Sequence, residues 1–104
     1  MSEFALERLE VADTPPSRLR GLLGRRGLDQ GHGLLLKPAG SIHTTFMRFP
    51  IDVVFLDRDL NVLKVVAELA PWRFAGCRGA KAVLELGAGE AARLEIEPGM
   101  RLAQ

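Results

Sequence analysis

The stretch from Ile51 to Leu69, "IDVVFLDRDLNVLKVVAEL", decides the fold. β-Branched and aromatic residues crowd both of its flanks, and the polar run "DRDLN" between them has the length and composition of a hairpin turn. It predicts two neighbouring antiparallel strands. In the first strand Ile51, Val53 and Phe55 fall on one face, and Asp52, Val54 and Leu56 on the other. Asp52 therefore sits among apolar residues. A carboxylate in that position must be paired or must accept backbone N–H bonds, because an isolated buried charge is costly.

On either side of this hairpin the chain reads as short strands punctuated by Gly, Pro and Asp. Phe4 to Val11 mixes apolar and charged positions at period two, with one slip between Leu6 and Leu9 that a β-bulge would explain. The segment "DTPPSRLRGLLGRRG" changes character: Thr14 can cap a helix, Pro15 suits its first position, and Leu19, Leu22 and Leu23 recur at helical spacing. It predicts one short helix near residues 15–24. "GLLLK" and "SIHTTF" are strand-like and are separated by the turn signal "PAG". Downstream, "KAVLEL", "ARLEIE" and "MRLA" are three more short strands, joined by "GAGEA" and "EPG". The expected fold is mainly β: a single domain over residues 1–104, built as a compact β-sandwich or partly closed barrel of short strands with one short helix.

Composition narrows the function classes. With 14 Lys and Arg against 13 Asp and Glu, the formal net charge is +1, so no global field recruits nucleic acid or an anionic membrane. No apolar run approaches the roughly 20 residues needed to cross a bilayer. The acidic start "MSEFALERLEVAD" does not read as a secretory signal, which gives a cytoplasmic expectation. Cys77 is the single cysteine, which excludes an intramolecular disulfide and a cysteine-based zinc site within one chain. His32 and His43 lie eleven residues apart with no carboxylate at ligand spacing, so no metal and no cofactor is expected. "GAGEAA" lacks the Lys-Ser/Thr of a phosphate loop.

The polar residues that remain cluster in "SIHTTFMRFPID", residues 41–52. His43, Thr45, Arg48 and Asp52, with Trp72 further on, are the candidate ligand-binding residues, since a convergent His, Arg and carboxylate beside a groove suits a small polar or anionic ligand. The bland alternative is that Asp52 locks the turn around "MRFPID" through backbone hydrogen bonds. A catalytic arrangement would use His43 as acid–base with Asp52 orienting it, and Ser41 as a weak nucleophile candidate. Cys77, flanked by Arg73, Arg78 and Lys81, is the other nucleophile to test, and a Cys77–His43 pair would be a thiol hydrolase design. Trp72 follows Pro71 and is either a core lid or an exposed platform, the core being the commoner place for a single aromatic. Arg18, Arg20, Arg25 and Arg26 form the densest basic patch, which fits a solvated helix face, with phosphate or acidic-partner binding as the alternative.

The order "GLLGR", "IHTTFMRFPIDVVFLD", "NVLKVVAELAPWR", "VLELGAG" and "EPGMRL" resembles the bacterial and archaeal family called domain of unknown function 192, over about Arg18 to Leu102. Its most specific element here is Pro50, Asp52, Val53, Val54, Phe55 and Asp57, followed by Leu84 to Gly89. One departure stands out. Where many family members carry an aromatic-Met-Lys-Asn-Thr string before the proline, this chain has His43 for the aromatic and Thr44 for the methionine. The resemblance implies a compact, mainly β fold and no particular activity. The expectation from the sequence is a non-catalytic binding module for a small polar ligand or a protein segment, working as a monomer or weak homo-oligomer. The alternatives are a hydrolase-like enzyme using His43 and Asp52, with or without Cys77, and an accessory domain that docks another protein through a strand edge or the arginine patch.

Overall fold

The computed structural model describes residues 2–14 and 28–103. Of these, 46% lie in strands and 4% in helix, so the protein is mainly β. In chain order the elements are β1 (Glu3–Phe4), β2 (Arg8–Ala12), β3 (His32–Leu36), β4 (Ser41–His43), β5 (Ile51–Leu56), β6 (Val62–Leu69), β7 (Phe74–Gly76), β8 (Ala82–Gly87), α1 (Glu90–Arg93) and β9 (Arg101–Leu102). The helix expected near residues 15–24 lies outside the described residues, as does the arginine patch around it.

A five-stranded sheet in the order β2-β3-β8-β5-β6 forms the centre. β2 runs parallel to β3 and every other neighbour is antiparallel. β5 lies between β8 and β6, and all six of its residues are buried. The reason is that the sheet is covered on both faces. Val54 and Leu56 join Leu35, Leu84 and Leu86 on one face, under the parallel pair β1–β9, which contributes Phe4 and Leu102. Ile51, Val53 and Phe55 join Leu34, Leu36 and Val83 on the other, under the antiparallel ribbon β4–β7, which contributes Ile42 and Ala75. A strand covered twice reads as a nearly continuous apolar run, and each side chain the size of Phe55 contributes roughly 1.5–3 kcal/mol by leaving water. The sheets do not close into a barrel; the arrangement is sandwich-like.

The predicted hairpin is present as β5 and β6. The carboxylate of Asp57 holds its turn, accepting the N–H groups of Asp59 and Asn61 at 2.9 Å and the Asn61 amide at 3.1 Å. These donors favour the charged form and keep the Asp57 carboxyl below its ordinary value, the Asn61 N–H being the largest cause.

Two strand expectations need correction. Phe4 to Val11 is not one bulged strand. The slip at Leu6–Leu9 marks the point where the chain leaves the β1–β9 pair and enters the central sheet as β2. "ARLEIE" is not a strand either: Glu90–Arg93 form a single helical turn, and Glu95 follows at φ 54°. The helix starts at Gly89, whose φ of 91° is accessible to glycine at little cost. It is held by contacts that local pattern does not reveal. Asp52 reaches across from β5 to accept the Ala91 N–H at 2.8 Å, and Ala91 and Ile96 pack into the core on that face. The buried Glu90 carboxylate accepts the Gly31 N–H at 2.7 Å and two Arg93 guanidinium bonds at 2.6 and 2.8 Å. Its carboxyl is accordingly lowered, with the Arg93 hydrogen bond as first cause.

Candidate functional site

Asp52 is fully buried and both of its oxygens are used. Between β5 and β6 a bulge sets Ala67 and Glu68 against Asp52 alone, with Ile51 paired to Leu69 and Val53 to Val66. Asp52 Oδ1 accepts the Glu68 N–H at 2.8 Å, supplying an acceptor where the ladder is interrupted. Its Oδ2 takes the Ala91 N–H. One carboxylate thus ties β5, β6 and α1 together on the face of Val54 and Leu56.

His43 lies elsewhere. It ends β4, whose Ile42 packs on the opposite face of the central sheet, and its own side chain is exposed. The sheet separates His43 from Asp52, so the structure does not bring the two together as a dyad. Nor does it pair His43 with Cys77. On the β4–β7 ribbon His43 stands opposite Phe74, while the Cys77 N–H bonds Gly40, three positions along, or roughly 10 Å of strand. The Cys77 thiol is half-buried and lies 3.6 Å from the Arg78 carbonyl. Thr45 is half-buried, and Arg48 is exposed.

Opposite His43 on the ribbon stands one of three exposed aromatic residues, Phe74. Phe46, Trp72 and Phe74 are 70%, 58% and 71% exposed, in a chain with only six aromatic residues other than histidine. Trp72, expected in the core as the commoner case, is a surface platform. Its ring meets that of Phe46 edge-on, with centroids 4.7 Å apart and planes at 62°. Phe46 and Trp72 both have φ in the left-handed region, at 68° and 64°. Such a conformation costs an L-residue roughly 1 kcal/mol or more.

Thr44 is what holds them there. It is fully buried and anchors the loops that carry both rings. Its N–H bonds the Arg73 carbonyl at 2.8 Å, and its own carbonyl accepts the N–H groups of Met47 at 3.1 Å and Trp72 at 3.0 Å. Its hydroxyl donates to the Ala70 carbonyl at 2.7 Å and accepts the Arg73 N–H at 2.8 Å. The backbone beneath the rim is therefore fixed on both sides. Above it stand the Phe46 and Trp72 rings and the Arg73 guanidinium, 3.4 Å from the Trp72 carbonyl; Phe74 stands opposite His43 on the ribbon, and Arg48 is exposed two residues after Phe46. This arrangement can stack a flat apolar surface and donate hydrogen bonds at its edge.

Sequence reasoning missed Phe46, Phe74 and the role of Thr44. The only available signal was an aromatic residue within two positions of an arginine in "FMR" and "RFAG", which has no periodicity to separate it from core.

The fold defines a small mainly β domain with one central sheet clad on both faces. The chain belongs to the family described as Uncharacterized ACR, COG1430, the domain of unknown function 192, whose model matches residues 2–104. The match is longer than the span carried by the sequence motifs. A UPF0127 protein of Thermococcus sibiricus is 34% identical over 97 residues, covering 88% of this chain and 62% of that protein. A UPF0127 protein of Pyrococcus abyssi is 33% identical over 99 residues, covering 88% of this chain and 81% of that one. The chain therefore spans under two thirds of the Thermococcus relative. A crystal structure of a protein of unknown function from Novosphingobium aromaticivorans superposes with a TM-score of 0.79 at 30% identity, covering 88% of this chain and 70% of that one. The same comparison with a candidate transcription regulator from Sinorhizobium meliloti gives 0.80 at 28%, covering 88% and 76%.

Proposed function

We propose that the protein is a non-catalytic binding module, and that its site is the rim of His43, Phe46, Trp72 and Phe74 with Arg48 and Arg73 at its border. The ligand class is a small polar molecule with one flat apolar face, such as a sugar ring or a planar heterocycle. The observation that carries this is the display of Phe46 and Trp72, two exposed aromatic residues in left-handed backbone, anchored from below by Thr44. An exposed ring contributes little to the core, so holding two of them at a conformational cost points to recognition. Of the residues expected to bind, His43, Arg48 and Trp72 belong to this reading; Thr45, half-buried between Thr44 and Phe46, does not. Asp52 is assigned to the lock. The cytoplasm is the proposed setting, in keeping with the free thiol of Cys77.

Trp72 is the single tryptophan, so intrinsic fluorescence reports on the rim alone. Titration with sugars, nucleotides and small carboxylates is expected to give a saturable change for at least one class, weakened tenfold or more in Phe74→Ala and His43→Ala. A panel that leaves the emission unchanged throughout would sink the proposal. A response only to added protein segments would replace the small ligand with a docking partner.

A further inference from the structure

None of the residues of the rim lines the groove of about 590 Å³ at the far end of the central sheet, where β3 and β5 end and β8 begins. That volume is within the range of small-molecule sites. Four cations from four separate segments converge on it: Lys37 after β3, Arg58 in the β5–β6 turn, Lys81 before β8, and Arg101 in β9. Among the described residues, the side chains of Lys37, Arg58 and Lys81 have no hydrogen-bond or ion-pair partner.

Carboxylates also line the groove, and what they do decides its character. Asp57 faces inward to its turn and already accepts three donors. Asp13 is likewise engaged. Asp59 places its backbone carbonyl on the Arg101 Nε at 3.1 Å, and its carboxylate is without a partner among the described residues, while Glu3 holds the Arg101 Nη1 at 3.1 Å, which orients that guanidinium. The walls are fixed as well, since the Lys81 N–H bonds the Leu56 carbonyl and the Ala39 N–H bonds the Lys81 carbonyl. Among the described residues, three of the four cations, Lys37, Arg58 and Lys81, are therefore unpaired, against one unpartnered carboxylate, that of Asp59.

We propose that this groove is a second, independent site for an oxyanion group of a small metabolite, phosphate or carboxylate, held between the Lys37 and Lys81 ammonium groups with Arg58 closing over it. Two point charges and an exposed guanidinium recognise such a group through charge-assisted hydrogen bonds.

The experiment follows backbone amide shifts by NMR in the full chain as inorganic phosphate or succinate is added against sodium chloride at matched ionic strength. Saturable shifts confined to Lys37, Arg58, Lys81 and their neighbours are expected, with binding at least tenfold weaker in a Lys37→Gln, Lys81→Gln double variant. A response to one anion and not the other identifies the source of the oxyanion. Should the double variant not fold, Arg58→Gln carries the same expectation of weaker binding. Linear shifts spread over the surface, or equal binding in the variant, would overturn the site. Because the Trp72 indole is not part of the groove, its signal stays still if the inference holds. Saturable movement there instead would assign the anion to the rim and also count against the groove.

Discussion

At the scale of single residues, two buried polar side chains with opposite consequences sit eight positions apart. Asp52 and Thr44 each satisfy backbone groups that secondary structure leaves over, Asp52 at a bulge and a helix start, Thr44 between two loops. The first stabilises the interior and the second presents the surface. Asp52→Asn retains one acceptor oxygen but turns an amide NH₂ towards a backbone donor, so the variant is expected to lose about 2 kcal/mol or more in urea unfolding. A loss of less than about 0.5 kcal/mol would show that the two bonds contribute little and would reopen Asp52 as a site residue. The need of Asp52 for partners was legible from alternation along "IDVVFL". Their identity was not, because Glu68 and Ala91 lie 16 and 39 residues away. Thr44 gave no sign at all: a threonine between His43 and Thr45 looks like any strand-end residue until Ala70 and Arg73 arrive beside it.

At the scale of elements, the β5–β6 hairpin was readable because its determinants are local: apolar flanks, a polar turn and an Asx residue at its start. The helical turn at Glu90–Arg93 was unreadable for the converse reason. Its four residues are too few to show helical periodicity, and its stabilising contacts come from β5 and from Gly31. The hairpin turn carries a prediction of its own. Asp57→Ala removes three accepted bonds, and the loss is expected to be about 1 kcal/mol at neutral pH by urea denaturation. The folded-state pKa of Asp57 is lowered from 3.8, so its charge-dependent contribution is present above the ordinary carboxylate value and disappears as pH falls through the folded one. The stability gap between wild type and variant should then hold constant from neutral pH to about pH 5 and narrow below about pH 4. A gap that widened on acidification would contradict the hydrogen bonding assigned to the turn.

At the scale of the whole molecule, the fold places its structural lock on one face of the central sheet and its displayed rings over the other. The His43–Asp52 pairing that sequence proximity suggested fails for this reason: nine residues in sequence are enough for the chain to turn from a surface ribbon into the middle strand. The rings are held out for recognition while Asp52 holds the fold. Urea unfolding of Trp72→Gly, followed by far-ultraviolet circular dichroism so that the lost indole does not matter, separates these two roles. Glycine relieves the left-handed backbone at Trp72 and gives up an exposed ring, while adding freedom to the unfolded chain, and these effects nearly cancel. A stability within about 1 kcal/mol of wild type is expected. A loss of about 2 kcal/mol or more, comparable to that expected of Asp52→Asn, would mean that Trp72 belongs to the framework and would contradict a binding rim.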